Sequence, residues 1–249
     1  LNQTDTFTYD NNSNLTQVND AANNNTTKTY DVLNRLAGQT NPDTGTIGVT
    51  YKPDGNIATV TDPKSLTTTY SYNGFGELIS INSPDTGITT ITRDKSGNPV
   101  SSTDARWQNS NITYDVLNRL TNVNYVGSSS ENVTITYDSC TNGIGKVCSI
   151  SDGSGTQSYI YDSKGRLSMK NYTNGTFSKT VAYSYNNNGQ LSGITYPSGK
   201  MVMYNYINDK ISSLSYTDNS ITTDIATNIT YEAFNPRLSS FTWGNAATY

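Results

Sequence analysis

Apolar and polar residues alternate along this chain in short runs that stop and restart at a fixed interval. Phe7-Thr8-Tyr9, Val49-Thr50-Tyr51, Tyr70-Ser71-Tyr72, Ile112-Thr113-Tyr114 and Ile135-Thr136-Tyr137 all read apolar, polar, aromatic. Period two places the first and third residues on one face of a strand and the threonine or serine on the other. The aromatic positions at Tyr9, Tyr30, Tyr51 and Tyr72 lie 21 residues apart, Arg93 keeps the step and Tyr114 keeps it again. Steps of 23, 24, 24, 21 and 25 lead on to Tyr137, Tyr161, Tyr185, Tyr206 and Tyr231, making eleven repeats and predicting a single array over residues 1–249.

A reversal signal stands directly after each aromatic. Asp10, Asp31, Asp94, Asp115, Asp138 and Asp162 come next, with Asn73 and Asn186 as variants, and Gly or Asn stands three places later at 34, 55, 76, 97, 118, 165, 189 and 235. An Asp opens a type I turn and Gly or Asn accepts the left-handed conformation, so D-x-x-[GN] predicts a three-residue hairpin with a bulge. An aliphatic then returns at Leu36, Leu120 or Leu167, opposite Tyr30, Tyr114 or Tyr161, as a cross-strand pair. Further turn signals fall mid-repeat, as in NPDTG at 41–45 and TDPKS at 61–65. Two strands and two turns per repeat predict an all-β antiparallel meander of about 22 strands. A parallel β-helix has a similar repeat length but does not use a reversing turn.

Composition changes this picture in one respect. Only 46 of 249 residues are Leu, Ile, Val or Phe, and 19 tyrosines supply the missing apolar area while keeping their hydroxyls wet. The net charge of −4, with Lys and Arg scattered singly, offers no basic stripe for nucleic acid. No apolar run reaches the length of a membrane span, and the first ten residues lack the regions of a signal peptide. Because the chain starts and stops inside its own pattern, it reads as an excerpt from a longer protein.

The string Y-D-x-x-G-R-L carries a resemblance. It stands as YDVLNRL at 30–36 and again at 114–120, as YDSKGRL at 161–167, and more loosely as YNNNGQL at 185–191; YDSCTNGIGKVC at 137–148 looks like an enlarged variant. On these residues the chain resembles the RHS or YD-repeat proteins along essentially its whole length. The resemblance implies hairpins joined edge to edge into one long sheet that curls into a spiral shell or open barrel segment. Such shells occur in bacterial RHS polymorphic toxins, in Tc-toxin cage subunits and in animal teneurins. Twenty-two strands about 4.8 Å apart give a width of about 105 Å, near one turn of such a wall. The bacterial members enclose their own C-terminal toxin, so the implied partners are a toxin or cargo segment and adjoining RHS repeats, in a protein that is secreted or held at the cell surface. The family's autoproteolytic DPxG-type motif is not matched, because DPKSL at 62–66 lacks the glycine.

Chemistry outside this pattern is sparse. Without histidine, Ser-His-Asp and Cys-His catalysis and the commonest metal ligand are excluded. The three glutamates, Glu77, Glu131 and Glu232, stand in different repeats, and most of the 17 aspartates stand where a turn needs them. No enzyme activity, cofactor or metal site is expected. Cys140 and Cys148 flank the loop of one enlarged hairpin. They read as a disulfide pinning that loop, in keeping with the export that the resemblance implies, or as a pair of reduced thiols. Rows of tyrosine could also stack on sugars, which makes a glycan a candidate partner and a cell-surface adhesion or carbohydrate-binding module the alternative to a structural wall.

Overall fold

In the computed structural model, which describes residues 4–233 and 237–245, the period-two runs are strands and the Asp-led segments are the turns between them. Asn235, expected at a left-handed turn position, lies outside the described residues. Twenty-two strands and one 3-10 turn, Ser129–Glu131, make up the regular structure among the described residues. The alternation is visible in burial. Thr67–Tyr72 runs exposed and half-buried by turns, and Gly87–Arg93 does the same in the opposite phase.

One hairpin shows how the sequence sets the register. Strands Asn25–Tyr30 and Leu36–Thr40 pair antiparallel with Thr27 opposite Thr40, Lys28 opposite Gln39 and Thr29 opposite Gly38. The register then slips, so that Tyr30 faces Leu36 and Ala37 is left over. This extra residue is the bulge that a three-residue turn requires. The same slip puts Tyr51 opposite Ile57, Tyr72 opposite Leu78, Tyr161 opposite Leu167 and Tyr185 opposite Leu191.

The described chain divides into two compact units near Asn118. In the first, eleven strands from Thr6–Tyr9 to Asn109–Tyr114 each pair antiparallel with the next. Asn124–Gly127 also belongs to it, and the Val126 N–H bonds the Asn109 carbonyl. The second unit takes Arg119–Val123 and continues from Ser128, again pairing consecutive strands antiparallel through to Leu238–Trp243.

Neither unit has a two-layer core. No large side chain is fully buried among the described residues, and the nearly buried ones are Cys148, Ala226 and Ser215. Cohesion therefore rests on ties between neighbouring strands. On the polar face hydroxyls meet in pairs: Thr50 with Thr59 at 2.6 Å, Thr61 with Thr67 at 2.9 Å, Thr136 with Ser149 at 2.8 Å and Thr230 with Ser240 at 2.7 Å. Each pair satisfies a polar group on a half-exposed surface and contributes a few tenths of a kcal/mol, up to about 1. No helix among the described residues is long and apolar enough to cross a membrane.

Candidate functional site: the turn edge

The residues singled out by the repeat converge on the edge of the sheet where the Tyr-Asp turns lie. At Asp31 the turn closes through two backbone bonds, the Asp31 N–H to the Arg35 carbonyl and the Asn34 N–H to the Asp31 carbonyl. The carboxylate fills the space beneath. Asp31 Oδ1 accepts the N–H groups of Leu33 and Arg35, and Oδ2 accepts Arg35 Nε at 2.7 Å. These bonds favour the ionised form and hold the Asp31 carboxyl below the usual carboxylate range, the Arg35 backbone N–H first among the causes. Asp162 is built alike on Arg166, whose side-chain bond is there the largest cause. Asp115 accepts the Leu117 N–H, and its carbonyl takes the Asn118 N–H.

The left-handed position is occupied as the turn demands, by Asn34 and Asn118 at φ 60° and by Gly165 at φ 75°. The left-handed residue also meets a side chain from the preceding repeat. The side chain five places after each tyrosine reaches over the next turn's left-handed residue. In two places Asn meets Asn, Asn14 Nδ2 donating to Asn34 Oδ1 at 2.8 Å and Asn98 Nδ2 to Asn118 Oδ1 at 3.1 Å, whereas Asn56 lies over Gly76 and Gln190 donates to Asp209. Glycine lies beneath the long Glu77 and Arg166: a Cβ on Gly97 would stand 2.2 Å from Glu77 Oε1, and one on Gly189 would stand 3.4 Å from Arg166.

The aromatic position ties one hairpin to the one before it. Tyr30 donates its hydroxyl to the Leu15 carbonyl, Tyr51 to Leu36 and Tyr114 to Pro99, each at 2.9 Å. In the second unit Tyr137 reaches Leu120, Tyr161 reaches Val147, Tyr185 reaches Leu167 and Tyr206 reaches Leu191. Arg93, where the tyrosine is missing, makes the equivalent bond through Nε to the Leu78 carbonyl at 3.1 Å. An open recess of about 620 Å³ lies beside it, lined by Phe75, Glu77, Ile79, Ile91 and Arg93 among others.

A cation caps many of these rings. Arg35 lies 4.1 Å from the Tyr51 centroid and Lys52 4.8 Å from that of Tyr72. In the second unit Arg119 covers Tyr137, Lys146 covers Tyr161 and Arg166 covers Tyr185. Arg119 also pairs with Asp138 at 2.5 Å, so there the salt bridge itself crosses between hairpins. The arginine of YDVLNRL thus joins its own aspartate at Arg35 and the next tyrosine at both Arg35 and Arg119. That role is invisible when each heptapeptide is read alone, and the available signal was the recurrence of Arg or Lys ahead of the next tyrosine.

Cys140 and Cys148 are joined by a disulfide. Cys148 lies nearly buried in strand Val147–Asp152, and Cys140 sits in the enlarged loop with its N–H on the Cys148 sulfur at 2.9 Å. Gly143 passes so close that an added Cβ would stand 2.3 Å from the Cys140 sulfur and 2.8 Å from that of Cys148. The loop also docks on its neighbour, the Tyr161 N–H bonding the Thr141 carbonyl and the Asn142 amide bonding the Tyr161 carbonyl.

This repeating tie matches two related family descriptions. The RHS Repeat matches residues 9–46 and 51–90, and the Teneurin YD-shell matches residues 123–215. This chain is an RHS/YD-repeat protein. Among solved structures the YD-repeat fold recurs in the TcdB2-TccC3 crystal structure, with TM-score 0.74 and 15% identity, covering 99% of this chain and 16% of that one. The TcdB2-TccC3-Cdc42 crystal structure is similar at TM-score 0.73, 15% identity, 99% and 16%. The Tc holotoxin pore of Photorhabdus luminescens gives TM-score 0.71 and 14% identity, covering 98% and 16%. At these identities the likeness is one of fold, and the chain spans about a sixth of the length of the structures it resembles. Among curated proteins no sequence matches.

Proposed function

We propose that this chain is a section of non-catalytic wall in an exported RHS-type shell, one that encloses a C-terminal toxin or other cargo until delivery. The observation that carries the reading is the fold match to toxin-complex structures over 98–99% of the chain, with a repeat whose polar residues are spent on joining hairpins. Aspartates that could serve as acids or bases are engaged in turns: Asp10, Asp20, Asp31, Asp62, Asp94 and Asp162 each accept two backbone N–H bonds within their own turn. A single array over residues 1–249, continued by further repeats of the parent chain, fits this role, as does the disulfide in a protein that leaves a reducing compartment.

Protease protection tests it. In the full-length protein under native conditions, cargo sequence should resist protease and become sensitive once the wall is opened by denaturant. Cargo digested at the same rate before and after opening would refute enclosure.

The glycan-binding alternative has one observation in its favour. Trp107 holds a left-handed φ of 62° and is 85% exposed beside a 280 Å³ recess lined by Ile88, Thr90, Thr103, Asp104 and Ala105. Saturable glycan binding lost in Trp107→Ala would promote that reading.

A further inference from the structure

The turn tips of the first compact unit carry a second periodicity, of 42 residues, that the tyrosine spacing conceals. In repeats two, four and six the tips are Val32-Leu33, Gly74-Phe75 and Val116-Leu117. Between them stand Pro53-Asp54 and Lys95-Ser96. The apolar tips project into solvent: Val32 is 98% exposed, Leu33 66%, Phe75 92%, Val116 99% and Leu117 67%. Side chains this exposed add nothing to the fold of their own hairpins, and a regular row of them marks an interaction surface.

The order of the tips says what fits them. From Val32-Leu33 to Val116-Leu117, with the polar Asn11-Asn12 of repeat one outside the row, they read aliphatic, acidic, aromatic, basic, aliphatic, and reversed the order is the same except that acid and base exchange. A row with that symmetry is complementary to itself run backwards. We propose that the turn edge of the first unit pairs with the same edge of a second copy of this chain, antiparallel about a two-fold axis at Phe75. Phe75 then meets Phe75 of the second copy, Asp54 meets its Lys95, Lys95 meets its Asp54, and Val32-Leu33 meets its Val116-Leu117. An interface of this kind is isologous, each contact occurring twice.

Asp54 and Lys95 are the charged residues at the tips themselves, and both are exposed. Lys52 is drawn over the Tyr72 ring, Asp94 accepts the N–H groups of Ser96 and Asn98, and Glu77 accepts the Asn73 amide. Asp54 itself accepts the Asn56 N–H through Oδ1, a bond to a neutral group that leaves its charge in place. The backbone of the edge is closed by its own turns, as at Lys52 with Gly55 and Asp94 with Gly97. Association there uses side chains alone and differs from the strand-to-strand pairing open to a terminal strand. Adjacent tips stand about 10 Å apart, and five of them on an edge about 10 Å thick give a footprint of about 400 Å² per partner. That is half the usual value of about 800 Å², so the dimer is a transient one. The inference goes beyond the proposed function and does not depend on it.

Sedimentation of the 249-residue chain between about 10 μM and about 1 mM tests it, with circular dichroism confirming that each variant is folded. A dimer should accumulate with concentration. Asp54→Lys and Lys95→Asp should each weaken it roughly tenfold, the double exchange should restore it to within about twofold, and Phe75→Asp should abolish it. A chain monomeric at about 1 mM, a dimer indifferent to these substitutions, or a double exchange no stronger than the single ones would overturn the proposal.

Discussion

At the scale of single residues, the turn positions are governed by two constraints at once, the backbone angle and the side chain arriving from the preceding repeat. Gly97 shows both, with φ 84° and Glu77 lying where a Cβ would stand. The carboxylate end of Glu77 can swing aside, so Gly97→Ala should cost about 1–2 kcal/mol, mostly from the left-handed backbone. Asn34→Gly should cost under about 1 kcal/mol, because it loses the Asn14 bond but relaxes the backbone. Chemical denaturation measures both. The aspartates set a pH dependence. Hydrogen bonds to the ionised form hold Asp10, Asp31, Asp94, Asp138 and Asp162 below the usual range in the folded chain. The unfolded chain then binds protons first, so their contribution is fully present above about pH 4 and is lost as pH falls through the lowered folded values. Thermal midpoints should stay level from about pH 5 to 8 and fall progressively below about pH 4. A midpoint unchanged down to about pH 2 would contradict the turn role.

At the scale of the element, the hairpin was the most legible part of the sequence. Its register depends on contacts within about six residues, such as Tyr30 with Leu36 and Asp31 with the N–H groups of Leu33 and Arg35. The links from one hairpin to the next were not legible. Arg35 and Tyr51 are 16 residues apart, and Asn14 and Asn34 are 20 apart, so only the folded geometry shows that they meet. The Tyr51 hydroxyl bond to Leu36 should contribute about 1 kcal/mol, read as the loss in Tyr51→Phe, and the Arg35 stack about 0.5–1 kcal/mol, read as coupling in a double-mutant cycle of Arg35→Ala with Tyr51→Leu. Additive losses would contradict the tie. The enlarged hairpin was read from its cysteines, whereas its docking on Tyr161 was not. Cys140→Ser with Cys148→Ser should lower stability by up to about 3 kcal/mol, and a reducing agent should have the same effect on the native chain and none on the double variant.

At the scale of the whole molecule, the all-β class and the family followed from the spacing of tyrosines and from YDVLNRL. The tip alternation over 42 residues did not, because the tyrosine period of 21 averages it away. Exposure separates the two periods: tyrosines such as Tyr30 and Tyr51 are half-buried and bonded to the preceding hairpin, whereas Val32, Phe75 and Val116 face outward. In both copies of the heptapeptide the arginine covers the next tyrosine, the asparagine accepts from the preceding repeat's asparagine, and the tip is apolar and exposed. The central claim is therefore that these repeats form a wall, and an electron-microscopy map of the full-length protein tests it most directly. The expected result is a hollow body whose wall is one strand layer thick, built of these hairpins, with density inside. A solid body, or an extended rod with no internal volume, would contradict it.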